Sequence, residues 1–452
     1  MKKKRRQQSK HLTAVQLLAF GFLVLIFLGG TLLTFPFFSH TGTWTPFIDA
    51  LFTATSAVCV TGLTTLNTVE HWNELGQFLI LLLIEIGGLG FMMMPILFFT
   101  LAKKKVSLST RIVLREALNL DEMSGVMNLM LYILKLAAAI QSLGALALSI
   151  VFIPKFGWLK GIWYSIFHSV SSFCNAGFDL LGTSLAEYQS NIYLILVISA
   201  LIISGGLGFL VWRDVLNYKK KKRPSLHTQI ALAVTGTLLL GATLIFFFTE
   251  NNAQALAPNL SFFERLANTF FMSVTPRTAG YFSIDYAQMS HAGLITTMFL
   301  MYIGGTSGST AGGLKTTTFG VLVIQMHSMF KGRTRAEFRE RTIRPTVVIR
   351  ALTLFFLTLT LCVVTIMILS ITETIPQGFG IEYIAFEVFS AFGTVGLTMG
   401  LTPELSVIGK AVIISLMYIG RVGVLTVVFS LITTAQRQEV KYKYPEESVM
   451  IG

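Results

Sequence analysis

Eight stretches of the chain are apolar for long enough to cross the hydrocarbon of a bilayer, which takes roughly 20 residues of helix. They lie at about 13–37, 77–101, 129–153, 191–212, 228–249, 293–329, 346–371 and 408–434. Four shorter apolar segments stand between them, near 47–59, 162–174, 263–277 and 382–393. At about a dozen residues each, these are too short to span and predict re-entrant helices. Two carry start signals: Thr45 with Pro46, and the capping-box pattern Ser261-x-x-Glu264.

The short segments repeat one another. Each has a Phe ten residues before a Gly: Phe52 and Gly62, Phe167 and Gly177, Phe270 and Gly280, Phe386 and Gly396. Ser56, Ser171, Val274 and Ser390 stand six residues before those glycines. The tetrads around them read Val60-Thr61-Gly62-Leu63, Asn175-Ala176-Gly177-Phe178, Thr278-Ala279-Gly280-Tyr281 and Thr394-Val395-Gly396-Leu397. A second shared element lies in the span that follows: Ile86-Gly87-Gly88-Leu89-Gly90, Ser204-Gly205-Gly206-Leu207-Gly208, Ile303-Gly304-Gly305, and Ile419-Gly420-Arg421-Val422-Gly423. The predicted fold is an all-α membrane protein with four parallel repeats of span, re-entrant helix and span (M1–P–M2), eight transmembrane helices around one central pore. The repeats run 13–101, 129–212, 228–329 and 346–434, between an N-terminal tail 1–12 and a C-terminal tail 435–452.

Charge sets the orientation. Of 35 basic residues, 26 fall in Lys2–Lys10, Lys103–Arg115, Arg213–Arg223, Lys331–Arg344 and Arg437–Lys443, which all lie on one side of the predicted membrane. By the positive-inside rule both termini are cytoplasmic. Acids such as Glu70, Asp179, Glu250 and Glu373 take the other side. The net charge of +13 therefore reports topology and not a nucleic-acid partner. With 53% hydrophobic and 13% charged residues and a mean hydropathy of +0.69, a disordered chain is excluded and the composition argues against a soluble enzyme. The first apolar run is too long for a secretory h-region, so it is expected to be the first span of a multi-pass plasma-membrane protein.

Non-helical backbone at membrane depth persists only where it is buried in protein or lines a watery cavity. Four inward-facing tetrads offer rings of carbonyl oxygens, hard donors that replace the hydration shell of an alkali cation. Glycine suits the tetrads because it reaches backbone angles that a Cβ opposes. The residues thus argue for a cation-conducting pore, with the cation as substrate and no covalent cofactor.

The sixth span is irregular. Gly304, Gly305, Gly308, Gly312 and Gly313 crowd the stretch from Ile303 to Lys315, at a cost of about 1 kcal/mol each in a regular helix. A hinge or plug beneath the filter is expected there. Gly308-x-x-x-x-Gly313-Leu314-Lys315-Thr316 nearly spells a phosphate-binding loop, but one residue too many precedes the lysine and no strand precedes the loop. Arg421 replaces the second Gly of the shared element in the fourth repeat alone, and a mid-span Arg is functional by default. It acts either as an electrostatic barrier, as a partner of the loop's hydroxyls and carbonyls, or as one half of an ion pair with Glu85 or Glu387. Lys315 either controls the gate or snorkels toward the cytoplasm.

The chain resembles the Trk/Ktr/HKT superfamily of potassium transporters, most closely its bacterial KtrB/KtrD-like membrane subunits. The match is most specific over Phe386–Leu397, Val274–Gly280 and Ile303–Lys315. The resemblance implies that Gly62, Gly177, Gly280 and Gly396 are the potassium filter glycines, that Gly304 through Lys315 is an intramembrane gating loop, and that Arg421 faces the pore. Sodium-preferring plant relatives carry Ser in the first loop, so Gly62 favours potassium. It further implies a homodimer with the C-terminus at its interface, a cytoplasmic RCK/KtrA-like ring that carries the nucleotide, and sodium as an activator in many members.

Other residues carry plainer expectations. Cys59, Cys174 and Cys362 are too few for a disulfide framework, and the first two pack behind the filter. His168, on the second short helix, is expected to be a satisfied hydrogen-bonding group. Lys219–Arg223 is a topology anchor placed where it can also touch anionic membrane lipid, and Ser107–Leu120 predicts a short amphipathic helix that either packs along the membrane surface or docks a cytoplasmic partner. Two rivals remain: a secondary transporter with a midplane site, which predicts inverted repeats and an intramembrane acid pair, and a membrane hydrolase, which needs a nucleophile–base or metal constellation.

Overall fold

The computed structural model describes residues 14–90, 126–218, 223–250 and 256–431, with Pro445, Glu447 and Met450 of the tail. The expected tail 1–12, the Lys103–Arg115 loop with its amphipathic stretch 107–120, Lys219–Lys222 and the rest of 435–452 lie outside the described residues.

Helical elements follow one order four times. The first unit has α1 (Ala14–Thr34), α2 (Phe47–Val58) and α3 (Glu74–Leu89). The second has α4 (Val126–Phe156), α5 (Trp158–Cys174) and the pair α6 (Ile192–Gly206) and α7 (Phe209–Leu216). The third has α8 (Leu226–Thr249), α9 (Phe262–Val274), α10 (His291–Tyr302) and α11 (Thr316–Phe330). The fourth has α12 (Pro345–Thr372), α13 (Glu382–Gly393), α14 (Val407–Val422) and α15 (Val424–Leu431). Among the described residues, α1, α4, α8 and α12 are the four helices long and apolar enough to cross a membrane, and α6 with α7 makes a fifth if the bent pair is one span.

The helix that closes each unit differs from the continuous spans expected at 191–212 and 408–434, and of the span expected at 77–101 the described part ends at Gly90. It starts at a side-chain cap in every unit, with Asn73, Asn191, Ser290 and Ser406 accepting from the N–H groups of Gly76, Leu194, Gly293 and Gly409, each at 3.0 Å. It then stops at the last glycine of the shared element. Gly90, Gly208 and Gly423 have φ of +90°, +87° and +95°, a region closed to ordinary side chains, so the helix cannot run on. At Gly208 the axis turns by 97°. In the third unit the residues between α10 and α11 make the break, where the sequence predicts a hinge or plug.

The short helices sit at the centre of the packing. Each closing helix packs on the short helix of its neighbour: α3 on α5, α6 on α9, α10 on α13, and α14 back on α2. The four units therefore close into a ring. A 2.7 Å ion pair between Lys410 of α14 and Asp49 of α2 ties the last unit to the first. Two features depart from the sequence reading. Thr45 does not cap α2; Pro46 holds the cap position, and the Thr45 hydroxyl meets His71 Nε2 at 2.9 Å instead. A two-residue hairpin, β1 (Glu337–Phe338) and β2 (Arg341–Thr342), interrupts the all-α pattern, because Ala336, Phe338 and Ile343 join a small apolar cluster with Ile230, Val321 and Val348.

Candidate functional site

The tetrads follow directly on the short helices, and all four have the same unusual backbone. Val60, Asn175, Thr278 and Thr394 have φ of 53°, 61°, 72° and 49°, and the glycines two residues on have 95°, 71°, 78° and 94°. A non-glycine residue with positive φ is uncommon and persists only where its surroundings hold it. All four tetrads thus share one pattern, a residue at positive φ two positions before a glycine at positive φ.

These strands meet. A Cβ placed on Gly62 would stand 2.6 Å from Ala176 O and 3.0 Å from Gly177 Cα. One on Gly177 would stand 2.8 Å from Ala279 O and 3.0 Å from Gly280 Cα. From Gly280 the same construction meets Val395 O at 2.5 Å, and from Gly396 it meets Thr61 O, which closes the circle. The four glycines thus form one ring in chain order, with the backbone of each unit against the next.

The short helices hold the tetrads, through the glycine N–H in the first and fourth units and through the last carbonyl of the tetrad in the second and third. Ser56 Oγ accepts from Gly62 N at 2.9 Å, and Ser390 Oγ accepts from Gly396 N at 3.1 Å. In the second unit Ser171 Oγ donates to Phe178 O at 2.8 Å; in the third, where Val274 replaces the serine, the next residue Thr275 donates to Tyr281 O. Tyr281 Oη adds a 2.8 Å bond to Phe178 O, and the Asn175 amide lies 3.3 Å from Thr278 Oγ1, so neighbouring tetrads are cross-linked. His168 backs the second strand with both ring nitrogens engaged, Nδ1 with Tyr164 O at 2.7 Å and Nε2 with Leu180 N at 3.3 Å. At the exposed start of α9 the Ser261–Glu264 capping box is formed, and the Ser261 hydroxyl and N–H hold the Glu264 carboxyl below its ordinary range.

The shared Gly-Gly element now has a physical reason. A Cβ on Gly87, Gly205 or Gly420 would collide with the carbonyl of Val58, Phe173 or Phe392, the residue four before each ring glycine. Only a glycine lets the closing helix approach that carbonyl. In the third unit Gly304 instead meets Gly312 O, part of the loop 303–315.

That loop folds back on itself. Gly304 N donates to Leu314 O at 2.8 Å, Thr316 N to Gly305 O at 3.0 Å, and Thr316 Oγ1 to Gly304 O at 2.7 Å, which pinches its base. Its tip is held by the second unit: Thr306 N donates to Gly206 O at 3.0 Å, Thr310 Oγ1 to Phe173 O at 3.1 Å, and Phe209 N, freed by the bend at Gly208, to Gly308 O at 2.9 Å. Gly312 and Gly313 lie against Thr394 and Gly393, at the entrance to the fourth tetrad. Lys315 Nζ donates to Ala311 O at 2.7 Å, within the loop.

Arg421 reaches the same place from the fourth unit. It donates to Thr310 O, to Gly87 O at 2.5 Å and to Gly88 O at 2.9 Å, and so joins the loop to the end of α3. Its partners are carbonyls and not the acids of the ion-pair alternative: Glu85 accepts from Gln141 at 2.8 Å and Cys174 at 3.3 Å, and Glu387 from the hydroxyls of Thr398 and Thr402. Cys59, Cys174 and Cys362 are buried and free. Among the described residues, no three His, Cys, Asp or Glu side chains gather into a set able to hold a metal ion.

Three features escaped the sequence reading: the helix breaks at Gly208 and Gly423, the buried Arg277, and the hydroxyls that bind Glu387. Arg277 carried a signal, since it is an ionisable residue between a short helix and a tetrad.

The chain matches the family model described as "TrkH: Cation transport protein" over residues 2–441. It is 72% identical to the potassium/sodium uptake protein NtpJ of Enterococcus hirae, over all of this chain and 99% of that one. It is 41% identical to the Ktr system potassium uptake protein B of Bacillus subtilis, over 97% of each. The fold is similar to that of the crystal structure of the potassium transporter TrkH from Vibrio parahaemolyticus, with a TM-score of 0.72 and 17% identity over 95% of this chain and 87% of that one.

Proposed function

Because this chain belongs to the TrkH family of cation transport proteins, we propose that it is a potassium uptake protein, in which dehydrated ions pass through a filter of backbone carbonyls from the four tetrads. The observation that carries the reading is the closed ring of Gly62, Gly177, Gly280 and Gly396, each at positive φ. Carbonyls turned to one side of four strands replace a hydration shell without any charged side chain. The relatives named above, a potassium/sodium uptake protein and a potassium uptake protein, align over nearly their whole length, which supports potassium as a substrate here.

In this reading the units are four M1–P–M2 repeats, and α3, α6–α7, α10–α11 and α14–α15 are second spans broken at glycine. The loop 304–315 is the gate, with its tip across the inner entrance of the filter, and Arg421 holds it closed from the opposite side. Both termini face the cytoplasm. The membrane subunit works as a homodimer with a separate cytoplasmic RCK-type ring of the KtrA kind, and that ring binds the nucleotide. Sodium acts as a second cation on the system. Broken helices also occur in secondary transporters built from inverted repeats, whereas these four units repeat in one sense.

The test is rubidium uptake and potassium-limited growth in a bacterium without its own potassium uptake systems, with and without a KtrA-type ring. Growth rescue, and rubidium uptake that potassium suppresses more strongly than sodium, is the expected result. Uptake indifferent to potassium, with the protein well assembled in the membrane, would overturn the proposal. A smaller effect is expected for Ser390→Ala. The Gly396 N–H then loses its acceptor, at about 1–3 kcal/mol for an unsatisfied buried group, and uptake falls by roughly tenfold while Ser390→Thr retains most of it.

A further inference from the structure

Arg277 is 8% exposed, and its side chain meets no carboxylate among the described residues. Its Nη2 lies 3.3 Å from Thr235 Oγ1 and 3.2 Å from Thr316 Oγ1, and its Nε has no partner. It lines a small cavity with Ile202, Gly206, Leu239, Val274 and Gly305. A guanidinium held by neutral hydroxyls inside a membrane protein is expensive, and residues of that kind mark function. Its position is informative. Arg277 immediately precedes the third tetrad, while Thr316 is the first residue after the 303–315 loop and donates to Gly304 O at the start of that loop. Thr316 Oγ1 has one proton to give, and Gly304 O takes it, so Arg277 is the donor toward Thr316. One hydroxyl therefore clasps both ends of the loop and the cation beside the filter.

We propose that Arg277 and Thr316 form a latch: Arg277 is a positioning residue that couples the third filter strand to the base of the loop and holds the loop in the obstructing position of this structure. The latch rests on the reading of 304–315 as a gate. The loop cannot swing away from Thr394 while its base stays pinched, because Thr316 Oγ1 and Thr316 N together fix Gly304 and Gly305. The pinch depends on a hydroxyl that Arg277 orients. A rearrangement of the third filter strand moves Arg277 and loosens the loop, and the reverse holds by linkage.

The test uses the full chain in cells, with rubidium uptake resolved into Vmax and KM. Thr316→Val keeps the branched shape and removes the hydroxyl. It is expected to raise Vmax by about fivefold, the worth of one buried hydrogen bond, with KM unchanged because the ring glycines are untouched. Arg277→Gln is expected to raise Vmax likewise, Arg277→Lys to restore part of the control, and the double variant Arg277→Gln/Thr316→Val to exceed neither single one. A side chain that only supported the fold would lower membrane abundance and Vmax together. Thr316→Val at wild-type Vmax, or a double variant whose effects multiply, would overturn the latch. If Arg277→Gln does not reach the membrane, Thr316→Val decides alone. Arg421→Gln separates the two readings: if it changes flux and Thr316→Val does not, the gate stands and the latch falls; if neither changes flux, the gate itself falls.

Discussion

Gly396→Ser is expected to reduce rubidium uptake by about 100-fold or more, the largest loss from a single ring position. The residue sits at φ +94°, where an L-side chain costs about 1–2 kcal/mol. That cost alone is roughly a tenfold effect. The new Cβ also runs into Thr61 O, with Gly62 Cα only 3.0 Å away. Neither neighbour can retreat, because Gly62 N is held by Ser56 and Thr61 N by Ser56 O at 2.8 Å. The fourth strand must then move and take its carbonyls out of the ring. Gly62→Ser places its Cβ 2.6 Å from Ala176 O, a milder collision. It is expected to lower the preference for potassium over sodium while keeping measurable flux. Gly236→Ala is the control: it lies in α8 with nothing within 4 Å of the added carbon, and uptake should stay at the wild-type level. Rubidium uptake with sodium competition, normalised to protein in the membrane, checks all three. Wild-type uptake and selectivity in Gly396→Ser would remove the ring from the conduction path.

Much of this site was legible in the sequence because repetition supplied a control within one chain. A single Gly in a short apolar segment is ambiguous, but four glycines at one spacing from a Phe require a shared backbone reason. The positive φ values provide that reason. The serine six residues before the glycine was visible as a recurring letter, and its bond to the glycine N–H explains it in the first and fourth units. In the second and third units the hydroxyl turns to the last carbonyl of the tetrad instead, which no spacing reveals. The helix breaks were illegible for a related reason. Hydropathy runs on through Gly208 and Gly423, so an apolar count sees one span where the backbone turns. Arg277 was missed because its partners, Thr235 and Thr316, lie about 40 residues away in each direction, and hydroxyls are too common to single out by residue type.

Arg421→Gln is expected to raise rubidium flux by roughly 100-fold and to make it less dependent on a cytoplasmic regulator. Two effects add. The guanidinium bridges Thr310 O on the loop to Gly87 O and Gly88 O at the end of α3, so its removal frees the loop tip from the first unit. It also removes a fixed positive charge. Taking a separation on the order of 8 Å and an effective dielectric near 20, that charge would oppose a passing cation by roughly 2 kcal/mol, about a 30-fold barrier. Arg421→Lys divides the two contributions. An ammonium keeps the charge but lacks the planar fork that serves acceptors on two elements at once. It is expected to show a looser gate with most of the barrier left, a rise of a few-fold. Glutamine above lysine above wild type in flux, at equal membrane abundance, is the ordering that the geometry demands. If lysine and glutamine raise flux equally, the tether and not the charge controls passage. If neither raises it, Arg421 is a structural clasp on α3 and the obstruction lies in the loop alone, where Gly312 rests on Thr394.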